Sequence, residues 1–161
     1  MTSVVRLQSP RVALALMLLL GAGVVSAQGA EAMNGTWKLN LAKSIYNPGP
    51  APKSQTLVID GSDAARKIVV DVTPATGAPV HWEVSGGSGK ELPVVGTNPN
   101  ADTYVFKRVN PTTLEAQYMK DGKPTLKQTA VVSADGKTLT VTASGTDVQG
   151  RTVNNIAVYD K

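Results

Sequence analysis

The chain has 161 residues, with 16 Lys and Arg against 12 Asp and Glu, one histidine and no cysteine. That inventory excludes disulfide frameworks, thiolate zinc sites, Cys–His dyads and multi-histidine metal centres. Stability must therefore come from packing and backbone pairing, and neither a metal nor a cofactor is expected.

The chain opens with a targeting pattern. Arg6 and Arg11 flank a short polar lead, residues 12–25 are apolar or glycine, and Val25-Ser26-Ala27 places small residues where a signal peptidase cuts. The apolar run is shorter than the roughly 18 to 20 residues that span a bilayer. Cleavage after Ala27 is therefore expected, with Ala30 and Ala32 as secondary sites, and no stable membrane anchor is expected afterwards. Arg6 and Arg11 are not adjacent, which argues against a twin-arginine signal. Residues 28–161 then form one domain of ordinary size. Loss of Arg6 and Arg11 leaves 14 basic residues against 12 acidic ones, a mature charge of +2. Such a small, dispersed charge offers no footprint for nucleic acid. The expected location is the periplasm or the exterior.

From residue 35 onward the chain alternates short β-like runs with turn chemistry. The first run covers 36–41, opened by Gly35-Thr36-Trp37-Lys38-Leu39. Asn47-Pro48-Gly49-Pro50-Ala51-Pro52 follows as an extended connector, because three prolines in five positions remove ladder donors. Further runs cover 55–59, 67–73 and 80–85. In the second of these Ile68, Val70 and Val72 share a face; in the third Val80, Trp82 and Val84 do, with His81 and Glu83 opposite. After the glycine-rich turn 86–89 come a shorter run at 91–95 and a strand at 103–109, where Tyr104, Phe106 and Arg108 have one parity. Leu114, Ala116 and Tyr118 mark the next strand, followed by 126–132, the row Leu139, Val141, Ala143, and finally 153–159. Asp121-Gly122 and Asp135-Gly136 are strong hairpin signals.

About eight to ten short strands joined by short turns predict sequential antiparallel neighbours, since parallel ones need long crossovers. Closing the meander into an up-and-down barrel removes both exposed edges. The fold expected is all-β, a lipocalin-like barrel, with a two-sheet sandwich as the alternative. Residues 153–159 are the natural element to close on the first strand.

Gly35-Thr36-Trp37 resembles the G-x-W opening strand of the calycin superfamily, which includes lipocalins and fatty-acid-binding proteins. Val158-Tyr159-Asp160-Lys161 is similar to the closing strand of the fatty-acid-binding proteins. The segments 35–44, 48–56, 98–103 and 135–159 resemble small exported bacterial lipocalin-like proteins of unestablished activity. The resemblance implies the barrel and a structural, closing role for Gly35 and Trp37. It does not carry a ligand over. Fatty-acid-binding proteins place a helix pair where this chain has its proline-rich connector, and an arginine where it has Ala157, two residues before Tyr159.

Little else points to catalysis. His81 and Glu83 lie on one strand face but are expected to face solvent. The segment 86–90 lacks the spacing of a phosphate loop and of a nucleophile elbow. Asp60, Asp121 and Asp135 precede glycines as turn formers, and Asn34-Gly35-Thr36 matters as a glycosylation sequon only in a eukaryotic secretory route. The remaining feature is an inward face of Trp82, Tyr104, Phe106, Tyr118 and Tyr159 with Arg108. A barrel of this size either fills its lumen or holds one small ligand. These six residues are the candidate ligand-binding set, and Arg108, a cation on an inward face, is the candidate orienting group. The expectation is a non-enzymatic protein that holds a small apolar or amphipathic ligand. An envelope structural or protein-interaction module with a packed core is the alternative. Nothing in the sequence sets an oligomeric state.

Overall fold

The period-two alternation becomes strands in a computed structural model, which describes residues 32–161. The expected signal segment, with Ala27 and Ala30, lies outside the described residues. The strands are β1 (Gly35–Leu39), β2 (Ser54–Gly61), β3 (Arg66–Thr73), β4 (Val80–Gly86), β5 (Leu92–Pro93), β6 (Val95–Gly96), β7 (Thr103–Asn110), β8 (Thr113–Lys120), β9 (Lys123–Val132), β10 (Thr138–Thr146) and β11 (Thr152–Asp160). They form one antiparallel sheet in the order β5-β7-β8-β9-β10-β11-β1-β2-β3-β4-β6. The sheet curls into a nearly closed up-and-down barrel, and the sandwich alternative is not realised.

Two runs differ from the sequence reading. The first strand stops at Leu39, and Leu41–Lys43 forms a 3-10 turn in which the Asn40 side chain accepts from the Lys43 amide at 3.2 Å. The run expected at 91–95 splits into β5 and β6, because it serves two neighbours. Leu92 and Pro93 pair with Tyr104 and Thr103 of β7, while Val95 and Gly96 pair with Glu83 and Trp82 of β4. Between and beyond them, the Val94 amide donates to the Asp102 carbonyl at 2.9 Å and the Thr97 amide to the His81 carbonyl at 2.8 Å. One short segment thus crosses the gap between the two ends of the meander. Only glycine fits its far end: Gly96 has φ +97°, and a Cβ there would run into the His81 carbonyl oxygen.

The opposite seam is made by β11, which pairs with β10 along nine residues. On its other side β1 supplies only Lys38 and Leu39, opposite Asp160 and Tyr159. The chain after β1 takes over from there. The Asn40 amide donates to the Val158 carbonyl at 2.8 Å, Ile45 exchanges two hydrogen bonds with Ile156 at 2.7 and 2.8 Å, and the Asn154 amide donates to the Asn47 carbonyl at 2.6 Å. Ile45 and Asn47 are tied to β11 in this way, and Tyr46 between them packs against the core.

Inward rows from all the long strands make one core. At the end where β2 turns into β3, Trp37 is fully buried and its indole N–H donates to the Met33 carbonyl at 2.9 Å. The Lys161 ammonium lies 4.9 Å from the Trp37 ring centroid, a cation–π contact. Its stem crosses directly over Gly35, where a Cβ would come within 2.6 Å of Lys161 Cε.

The seam generates a prediction. Gly96→Val should lower stability by about 1–3 kcal/mol in urea denaturation and should strip hydrogen-exchange protection from the Val94 and Thr97 amides first. Unchanged protection at both amides would show that residues 92–97 do not close the barrel.

Candidate functional site

The lumen has a floor, a wall and a mouth, each set by position along the strands. The mouth lies at the end where β3 turns into β4. It is a recess of about 340 Å³ bordered by Tyr46 and three connector prolines, Pro48, Pro50 and Pro52, with Gln55 of β2 and Val72 of β3 among the other residues. Below it lies a smaller, more enclosed cavity of about 60 Å³, whose wall includes Trp82, Tyr104, Tyr118 and Tyr159. Gln55 borders both spaces, so they adjoin at that side chain.

The aromatic wall is a contact cluster. The Trp82 ring meets Tyr118 edge-on at a centroid distance of 5.8 Å, and Tyr104 lies 5.4 Å from Tyr118. These separations suit tilted and edge-to-face packing. A bulge sits beside this cluster: Gln117 pairs with Lys127 and Met119 with Pro124, so two β9 residues oppose Tyr118. The Gln117 amide group satisfies the carbonyls freed there, donating to Tyr118 at 2.9 Å and Leu126 at 3.1 Å.

Polar groups punctuate the wall. Gln128 hydrogen-bonds the Tyr118 hydroxyl, and burial pushes the phenols of Tyr104, Tyr118 and Tyr159 well above their ordinary pKa. Tyr46 is pushed up to about 12, also by burial. All four remain protonated donors at neutral pH. At the rim, Asp147 is a buried carboxylate with its hydrogen bonds filled. It accepts from the Gln149 and Arg151 amides, each at 2.9 Å, and from Arg151 Nε at 2.7 Å. The backbone bond from Arg151 is the largest of the causes that hold its carboxyl below the usual range.

The floor contains two arginines around one carboxylate. Arg108 grips Asp63 with Nε on Oδ2 and with Nη2 on Oδ1 at 2.8 Å, and its Nη1 donates to the Pro111 carbonyl at 3.1 Å. Arg66 reaches the same Asp63 Oδ1 through Nη2 at 3.1 Å and the Asn34 side chain through Nη1 at 3.4 Å. Its guanidinium carbon lies 5.8 Å from the Phe106 centroid. The Arg66 side chain is 0 % exposed. Among the described residues, only two buried side-chain polar atoms lack a hydrogen-bond partner: Arg66 Nε and the Tyr46 hydroxyl.

The structure divides the expected site residues. Trp82, Tyr104, Tyr118 and Tyr159 border the enclosed cavity; Phe106 is buried beneath Arg66, and Arg108 does not border the cavity. Arg108 has the inward parity expected of it, but Asp63, 45 residues away in sequence, holds its guanidinium at the floor. The cation on the cavity wall is Arg66 instead, which the sequence reading left out by starting its strand at residue 67. Parity was the available signal, since Arg66 continues the row Ile68, Val70, Val72. Gln128 was missed in the same way beside Leu126. His81 and Glu83 face solvent, paired with Asp71 at 2.7 Å and Lys67 at 2.8 Å.

Comparison with known proteins assigns no family: no family model matches the chain, and no curated protein is similar enough to count as a relative.

The floor generates a pH prediction. Hydrogen bonds from Arg108, then Arg66, outweigh partial burial and lower the Asp63 pKa. A lowered folded-state pKa contributes stability above the ordinary carboxylate value, and that contribution is lost as pH falls through the folded value. Between about pH 5 and about pH 2, the urea midpoint of the wild type should fall more steeply than that of Asp63→Asn. Parallel pH profiles would show that Asp63 is not ionically engaged.

Proposed function

We propose that this chain is an exported, non-enzymatic, lipocalin-like binding protein of the periplasm or exterior, holding one small amphipathic molecule in its barrel. One observation carries the reading: Gln55 borders both the 340 Å³ mouth and the 60 Å³ enclosed cavity. The mouth alone reaches the lower end of the size range of small-molecule sites, roughly 300–1,000 Å³. The enclosed part has room for a slim group, not for a bulky ring system. A ligand would therefore lie with one end among Trp82, Tyr104 and Tyr118 and its bulk beneath the connector. The aromatic and aliphatic wall suits an apolar body, and the few convergent polar groups suit a polar end.

Tryptophan emission titrated with decanoate and with 1-decanol tests this, together with native mass spectrometry for co-purified small molecules. Binding is expected to be saturable and to fall at least about tenfold in Gln55→Trp, which blocks the passage with a bulky ring. If neither probe binds and no molecule co-purifies, the reading fails. If Gln55→Trp binds as the wild type does, the ligand is not in the lumen.

One observation favours the interaction-module reading: Ile45 and Ile156, paired beside the connector, are 61 % and 40 % exposed. On that reading, Ile45→Lys should abolish recovery of a crosslinked partner while the melting temperature holds. Equal recovery from both proteins would exclude this surface.

A further inference from the structure

The cavity wall includes one fully buried cation with a hydrogen-bond donor left over. Arg66 stands at the first position of β3, its side chain wholly inside, and it borders the enclosed cavity. Of its guanidinium nitrogens, Nη1 gives one hydrogen bond to Asn34 and Nη2 one to Asp63, while Nε has no partner among the described residues. A buried donor without an acceptor is destabilising, because the water it gave up is not replaced, and more so when it is charged. The ionic partner is also shared. Asp63 takes two hydrogen bonds from Arg108, and its contact with Arg66 is the single, longer one at 3.1 Å. Buried charge is tolerated when it is paired and hydrogen-bonded on all sides, and Arg66 falls short of that on the side of Nε.

We propose that Arg66 is the headgroup anchor of the lumen, and that the ligand is a slim amphipath entering carboxylate first. This rests on the binding reading above and specifies its ligand class. The carboxylate would accept from Arg66 Nε, the one guanidinium nitrogen with no hydrogen-bond partner among the described residues. Tyr104, on the same cavity wall, keeps its proton through burial despite the nearby Arg66 charge, and so supplies a second donor. The apolar tail then runs past Trp82 and Gln55 toward Val72 and the connector prolines. Six residue steps along β3 take the chain from Arg66 to Val72, about 20 Å of strand, and the arginine side chain fills part of that length. A carboxylate with a tail of roughly ten carbons spans the remainder. The cation comes from β3 and not from the closing strand, where Ala157 stands two residues before Tyr159.

The test compares decanoate, methyl decanoate and 1-decanol by calorimetry on the purified protein, wild type and Arg66→Gln. Decanoate should bind the wild type about tenfold or more tightly than 1-decanol, the yield of one charge-assisted hydrogen bond. Arg66→Gln should erase that preference, so that decanoate and decanol bind the variant within about twofold of each other. Because the variant could lose its fold, the wild type supplies a second readout. The Arg66 Nε–H resonance in a nitrogen-15 NMR spectrum should shift on adding decanoate and stay in place with decanol. If decanol binds as tightly as decanoate and the resonance never moves, then water alone serves Nε and the anchor proposal is overturned, while the binding reading stands. If none of the three binds, the binding reading itself has failed.

Discussion

Residues 92–97 hold the barrel shut. An antiparallel meander ends in two edges with unpaired amides and carbonyls, and each edge is open to pairing with other chains. Here one short segment hydrogen-bonds to β7 with its first half and to β4 with its second, so the two edges are joined through it. The cost is backbone freedom: the crossing works only because Gly96 takes a conformation closed to other residues. Once that seam exists, every inward side chain faces other inward side chains, and the question of function reduces to what fills the space between them.

The space is graded. At the floor, Met33, Trp37 and Phe106 are packed without exposure to speak of, and Asp63 holds both arginines there while Arg66 Nε is left without a partner among the described residues. Toward the mouth the packing loosens, because Tyr46 and the proline-rich connector cover the opening without filling it. Prolines suit this position. They hold the connector extended without demanding ladder partners, and the tie of Ile45 and Asn47 to β11 fixes where Tyr46 points. The wall between floor and mouth is aromatic with protonated phenols, apolar over the ring faces and able to donate hydrogen bonds at the hydroxyls.

The architecture was readable because each level of sequence pattern agreed with the next. Apolar parity, Asp-Gly turns and the absence of any helical period all favour one curled meander, and Gly35 with Trp37 marks where it begins. The lining of the enclosed cavity was readable only in its apolar half. Trp82, Tyr104, Tyr118 and Tyr159 followed from parity alone, since any aromatic on an inward row must meet its counterparts across the barrel. Charged residues obey a further rule. Arg108 and Arg66 both have inward parity, and which of them borders the cavity depends on Asp63, a residue in the β2–β3 turn that bonds Arg108 across 45 positions. Local pattern carries no information on such a pairing. The split of residues 91–95 into β5 and β6 was hidden for the same reason, because it reflects two distant partners and not a change in local propensity.

The direction in which an amphipath lies in the barrel can be measured directly. A crystal of the protein soaked with 11-bromoundecanoate, measured at the bromine absorption edge, reports it directly. With Arg66 as the anchor, one anomalous peak is expected at the mouth, between Tyr46 and Val72, with the carboxylate density at Arg66. A peak on the outer surface of the barrel, or bromine at the Arg66 end, would contradict it.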